Sequence, residues 1–300
     1  MFRHCTVSAP SIAILCLVLL PASAGAQPGH EDLRRAVMEI VLEHPQQEIA
    51  VSVRDPEHMA FLDLKGATRF HAASTMKVAV MMAVFQQAEE GTLSLSDSLV
   101  VENRFTSILD GSEYAIEDDS DDVIYSRLGT RMSIRDLVYQ MITVSSNLAT
   151  NLLIQHVTAD SAQALIDRLG NQQMKVLRGV EDIPAYRAGL NNQATSSDLA
   201  LQLEALMKGA AVSQEADGEM VEILLDQRFN DMIPAGLPED VKVAHKTGMI
   251  TRIHHDAAIV YPPDAPPYVL VVLTGGFEDP DESAAVGARI ARTVHGLLRP

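Results

Sequence analysis

The sequence predicts an α/β chain of the α+β type. Its antiparallel sheet is built from both termini and flanked by helices, with an all-helical lobe inserted at about 93–209. Two observations carry this. Strand-like segments fall near the two ends of the chain, and the long middle reads as helices and loops with no good strand.

Residues 1–26 read as a secretory signal peptide. Arg3 gives a basic start, Ile12 to Leu20 is a short apolar run, and Ala22-Ser23-Ala24 and Ala24-Gly25-Ala26 offer small-residue cleavage sites. The run is too short to span a bilayer. Cys16 suggests a lipid anchor, but Ile14-Leu15 before it are too bulky for the usual attachment site. Cleavage after Ala26 leaves residues 27–300 as one catalytic domain, secreted or periplasmic, with no membrane anchor. Both cysteines, Cys5 and Cys16, leave with the leader, so the exported chain has neither disulfide nor cysteine nucleophile.

Glu31 to His44 is expected to be an amphipathic helix, because Leu33, Val37, Ile40 and Val41 share a stripe. Glu48 to Arg54 and Met59 to Lys65 form a hairpin around the turn-like Asp55-Pro56-Glu57-His58. Thr75 to Glu90 is a long apolar helix stopped by Gly91, with Met76, Met81 and Met82 suited to irregular packing. Ser133 with Asp136 opens another helix in the manner of a capping box. Ser161 to Leu169 and Thr195 to Lys208 follow as helices. Strands return at Val241 to Lys246, Asp256 to Tyr261 and Tyr268 to Thr274, with residues 262–267 as the turn between the last two. Asp281 to Leu298 closes the chain as a helix.

The formal charge is −17, and it becomes −18 when the leader, with one base and no acid, is removed. A surface so acidic repels nucleic acid and anionic membranes. The expected partner is therefore a small molecule, and a monomer is expected. The acidic run 117–122 lacks the spacing of a calcium loop and reads as a solvated loop. His245, His254, His255 and Asp256 cluster in the sequence, but strand neighbours point to opposite faces and no HExxH spacing occurs, so no metal is expected.

Three motifs carry the chemistry. In Ser74-Thr75-Met76-Lys77 the hydroxyl and the amine share a face at a helix start. The unpaired amides there favour an ionised oxygen. Lys77 can act as a base if burial or a nearby cation lowers its pKa. Taken alone, Ser-x-x-Lys arises about once by chance in a chain of this length. Ser145-Ser146-Asn147 adds a second hydroxyl able to relay a proton, and an amide able to bind a substrate carbonyl. Lys246-Thr247-Gly248 ends a strand: Lys246 and Thr247 can hold a carboxylate, and Gly248 permits close approach. The Met249 amide can pair with that of Ser74 as an oxyanion hole. In this order, the three describe a serine acyl-transfer site.

From these motifs, from Phe70 to Lys77, from Met141 to Leu153 and from His255 to Pro262, the chain resembles class A β-lactamases, of the penicillin-recognising serine hydrolases. The resemblance covers nearly everything after residue 30. It implies a site between sheet and helical lobe, acylation of Ser74 by a β-lactam or peptidoglycan-like substrate, proton shuttling by Ser145, carboxylate binding by Lys246, and no metal or cofactor. Two departures stand out. Ser146 replaces the family's Asp in the second motif, and Ala185 stands where an Asn should follow the base.

That base is expected to be Glu181, in the loop Arg178 to Tyr186, with Asp182 the second candidate and Asn191 or Asn192 a source of the missing amide. His254 or His255 is the candidate for lining the carboxylate pocket. The function expected is an exported serine β-lactamase. A D,D-peptidase or esterase with slow or no β-lactam turnover is the alternative, and a sensor-like module without turnover is a third, disfavoured by the joint presence of Lys77, Ser145 and Lys246.

Overall fold

The computed structural model describes residues 1–2, 30–56 and 59–299. The expected signal peptide, Met1 and Phe2 apart, lies outside the described residues. Helix α1, His30–Leu42, turns Leu33, Val37, Ile40 and Val41 inward as its periodicity requires. Strands β1, Glu48–Asp55, and β2, Ala60–Leu64, make the expected hairpin. Strand β3 is only Phe70–His71, and a 3₁₀ turn over Ala73–Met76 leads into α2, Lys77–Glu89. Every residue of α2 from Lys77 to Phe85 is buried, so it runs through the core rather than along its edge.

The middle is less purely helical than the sequence predicts. It holds β4 (Ser98–Val100), β5 (Phe105–Thr106), β6 (Glu113–Tyr114), α3 (Asp122–Tyr125) and β7 (Arg131–Ser133) before α4 (Ile134–Thr143). β4 pairs with β7 and β5 with β6. Runs of two or three residues carry too few alternations to show as strands. Helices α5 (Asn147–Val157), α6 (Ala159–Arg168) and α7 (Ile183–Arg187) follow, then β8 (Gln193–Ala194), which pairs with β3. Helix α8, Ser196–Met207, lies across β1 and the C-terminal strands rather than within the helical lobe. Helix α9, Gln214–Leu225, is an element that the sequence pattern does not predict.

Strands β9 (Lys242–Ile250), β10 (Ile253–Tyr261) and β11 (Tyr268–Gly275) complete an antiparallel sheet ordered β2-β1-β11-β10-β9, and α10 (Pro280–Leu298) ends the chain. β9 continues past Lys246, and β10 begins before Asp256. The exposed Met249 and Ile250 and the polar His254 and His255 hide that extension in the sequence. Both faces of the sheet are covered. Tyr268, Leu270 and Val272 join the core beneath α1 and α10, while Val269, Val271 and Leu273 join the core shared with α2 and α8. Among the described residues no helix is long and apolar enough to cross a membrane.

Candidate active site

The site begins where β9 crosses the 3₁₀ turn. A Cβ on Gly248 would sit 3.0 Å from the amide nitrogens of both Ser74 and Thr75, so only glycine lets the strand come this close. The third motif is thereby laid beside the Ser74 segment, with Met249 next in the strand. Ser74 is half-buried, and Lys77 lies one turn on at the start of α2, fully buried.

Lys77 Nζ donates to Ser145 O (2.6 Å), Ser145 Oγ (3.2 Å) and Asn147 Oδ1 (2.9 Å). Lys246, fully buried on β9, donates to the same Ser145 Oγ at 3.0 Å and to Thr247 O at 2.9 Å. One hydroxyl therefore links two lysines drawn from segments about 170 residues apart. Asn147 Nδ2 donates onward to Glu181 Oε1 at 3.1 Å. Residues 74, 77, 145, 147, 181 and 246–249 thus come from the 3₁₀ turn, α2, the α4–α5 link, the first residue of α5, the loop before α7 and β9. Among the described non-glycine residues, seven have positive φ, and three of these are Ala73, Ser145 and Glu181. Backbone strain is concentrated at this cluster.

Burial lowers the pKa of Lys77 to about 7, opposed by the charges of Asp119 and Glu181. Burial, and then the charge of Lys77, push Lys246 well below the ordinary lysine range. Because both folded values are depressed, the unfolded chain binds more protons from about pH 7 up to the ordinary lysine range, and folding stability rises with pH through that window. The thermal midpoint is expected to gain more between pH 7 and 9.5 in the native chain than in Lys77→Met. Parallel profiles would show that Lys77 keeps an ordinary pKa.

Asp182, the second candidate base, is fully buried and committed to structure. Its Oδ1 accepts from Ser107 Oγ (2.7 Å) and Ala185 N (3.1 Å), and its Oδ2 from Ile108 N (2.9 Å). It caps α7 and ties that helix to the loop after β5. Neither Asn191 nor Asn192 supplies an amide to Glu181. Asn192 holds Leu177 and Arg178 through their backbones, and Asn191 Oδ1 accepts from Arg178 Nη2, so both close the neck of the loop.

The histidines separate as well. His255 is fully buried, its Nε2 3.0 Å from His71 O while its Nδ1 accepts from Thr274 N at 3.2 Å. Burial lowers its pKa to about 4, so it is neutral and offers a carboxylate no cation. His254 faces the opposite side, 3.0 Å from Ser283 Oγ, and His245 pairs with Asp256 at 2.9 Å behind the sheet. The expectation that His254 or His255 lines the pocket is therefore corrected. Residue alternation along β10 sets these faces.

The acidic run is also more than a solvated loop. Asp121 is buried and caps α3. Asp119 Oδ1 accepts from Asn147 N at 2.9 Å and its Oδ2 from Leu148 N at 2.8 Å. A run of carboxylates carries no sequence signal for this, since the contacts cross nearly 30 residues.

A family model described as "Beta-lactamase enzyme family" matches residues 32–298. A β-lactamase of Bacillus amyloliquefaciens is 28% identical over 234 residues, spanning 75% of this chain and 71% of that protein. A solved structure of a β-lactamase from Sphaerobacter thermophilus superposes with a TM-score of 0.77 at 27% identity, covering 91% of this chain and 100% of that one. A structure of PBP-A gives the same TM-score, 0.77, at 23% identity, over 88% and 95% of the two chains. At that identity the last likeness concerns the fold alone.

Proposed function

The chain belongs to the beta-lactamase enzyme family, and on that premise we propose that it is an exported serine hydrolase that opens the β-lactam amide through an ester on Ser74. Ser74 Oγ attacks the lactam carbonyl, its proton passing to Lys77. The amides of Ser74 and Met249 receive the developing oxyanion. The C–N bond then breaks, and the ring nitrogen takes a proton through Ser145. Lys246 and Thr247 hold the substrate carboxylate, and Asn147 and Gly248 border the acyl chain. Glu181 then draws a proton from water, the hydroxide adds to the ester carbonyl, and Ser74 leaves with its proton restored.

One observation carries this reading: Ser145 Oγ lies within hydrogen-bond reach of both Lys77 and Lys246. A hydroxyl so placed can pass a proton between the nucleophile side and the leaving nitrogen. The depressed pKa of Lys77, about 7, leaves a large share of it as free amine near neutrality. The test is intact mass of the mature protein over time after mixing with benzylpenicillin. An adduct that appears and then decays as penicilloate accumulates is the expected result. A persistent adduct would replace this reading with a penicillin-binding peptidase, and no adduct would direct attention to other esters.

A further inference from the structure

Glu181, the candidate base of the proposed function, is held from a direction that its own loop does not supply. Its Oε2 accepts the Glu117 N–H at 2.8 Å and, at the longer distance of 3.5 Å, the Asp118 N–H, while its Oε1 accepts from Asn147 Nδ2 at 3.1 Å. That same Nδ2 also donates to Asp118 O at 2.9 Å, and Asp119 takes the amides of Asn147 and Leu148. Within the two motifs the corresponding help is missing. Ser146 Oγ accepts only from Ala149 of its own helix, and Ala185 has no polar side chain.

Segment 116–119 is itself anchored. Asn103 Oδ1 accepts from Ile116 N at 2.8 Å and its Nδ2 donates to Ile116 O at 3.0 Å, while the Ile116 side chain is buried in the helical core. The side chains of Glu117 and Asp118 are exposed, so Glu117 acts through its backbone.

We propose that segment 116–119, pinned by Asn103, is the positioning element for Glu181 and Asn147. It holds the carboxylate by the Glu117 amide and the asparagine by Asp118 and Asp119. The acidic run thereby does work that the second motif and the Glu181 loop leave undone. This inference rests on the assignment of Glu181 as base. A carboxylate tethered at both oxygens presents one fixed orientation to a water, and loss of the Glu117 donor lets it turn away.

Two variants test this. Glu117→Pro deletes the N–H and keeps the chain length, and Asn103→Ala frees Ile116, which keeps the test open should the proline variant not fold. With benzylpenicillin, deacylation is expected to slow by about tenfold to a hundredfold, the value of a hydrogen bond to a charged group. Acylation should change less than about threefold, so the ester accumulates. Equal slowing of both steps, or native deacylation in both variants, would overturn the role.

A second readout needs no turnover. In the free protein, Glu181→Ala is expected to speed hydrogen exchange at the Glu117 amide by about tenfold or more, because the carboxylate is its acceptor. Unchanged exchange would overturn the tether whatever the protein does with penicillin. Faster exchange in a chain that forms no ester would leave the tether standing and remove the proposed activity.

Discussion

Ser74→Ala is expected to abolish the covalent adduct and to lower β-lactam hydrolysis by about 10⁴-fold or more, the scale of losing a nucleophile. The physical reason lies in the site's construction. Ser145 Oγ is within hydrogen-bond reach of both buried lysines, and on the proposed reading Ser74, three residues before Lys77, is the hydroxyl that forms the ester. Ser74 is only half-buried, so losing its hydroxyl should cost little stability, and the variant should still bind penicillin through Lys246 and Thr247. Intact mass, with thermal unfolding as a control for folding, checks both statements. An adduct that persists in Ser74→Ala would move the nucleophile, with Ser145 the next hydroxyl to examine.

Glu181→Gln is expected to trap the ester. Acylation should stay within a few-fold of native, while deacylation falls by about 10²- to 10⁴-fold, the range of general-base catalysis. Glutamine keeps one oxygen able to accept the Glu117 amide, so that tether survives, while its NH2 group faces the Asn147 Nδ2 donor and loses that hydrogen bond along with the basicity. Rapid-quench mass measurements separate the two steps. Native deacylation would take the role away from Glu181. Asp182 is a poor heir to it, since it is fully buried as the cap of α7, whereas Glu181 is only half-buried.

Much of the frame was legible in sequence because it depends on local periodicity. The stripe of α1, the apolar run of α2 and the caps Ser133 and Thr195 are properties of neighbours in the chain, and each appears where its pattern places it. The sheet assembled from both ends followed from where the alternating segments lay. The short pairs β3–β8, β4–β7 and β5–β6 were illegible, because two or three residues carry no readable period and their partners are distant. Histidines 254 and 255 mark the same boundary. Residue type makes both candidates for a pocket, but β10 register sends one into the interior and the other to the opposite face.

By itself the sequence determined the inventory: a hydroxyl and an amine one helical turn apart, a Ser-Ser-Asn link, a Lys-Thr-Gly strand, and a carboxylate in a loop between them. Tertiary structure alone decided which carboxylate points where. Glu181 meets Asn147 and the Glu117 amide, while the adjacent Asp182 is spent on capping α7. It also decided that Ser145 is shared by both lysines, and that the acidic run becomes a brace. The reason is that a side chain's type is local, whereas its hydrogen-bond partner and its exposure to water depend on segments brought together only when the core closes around them.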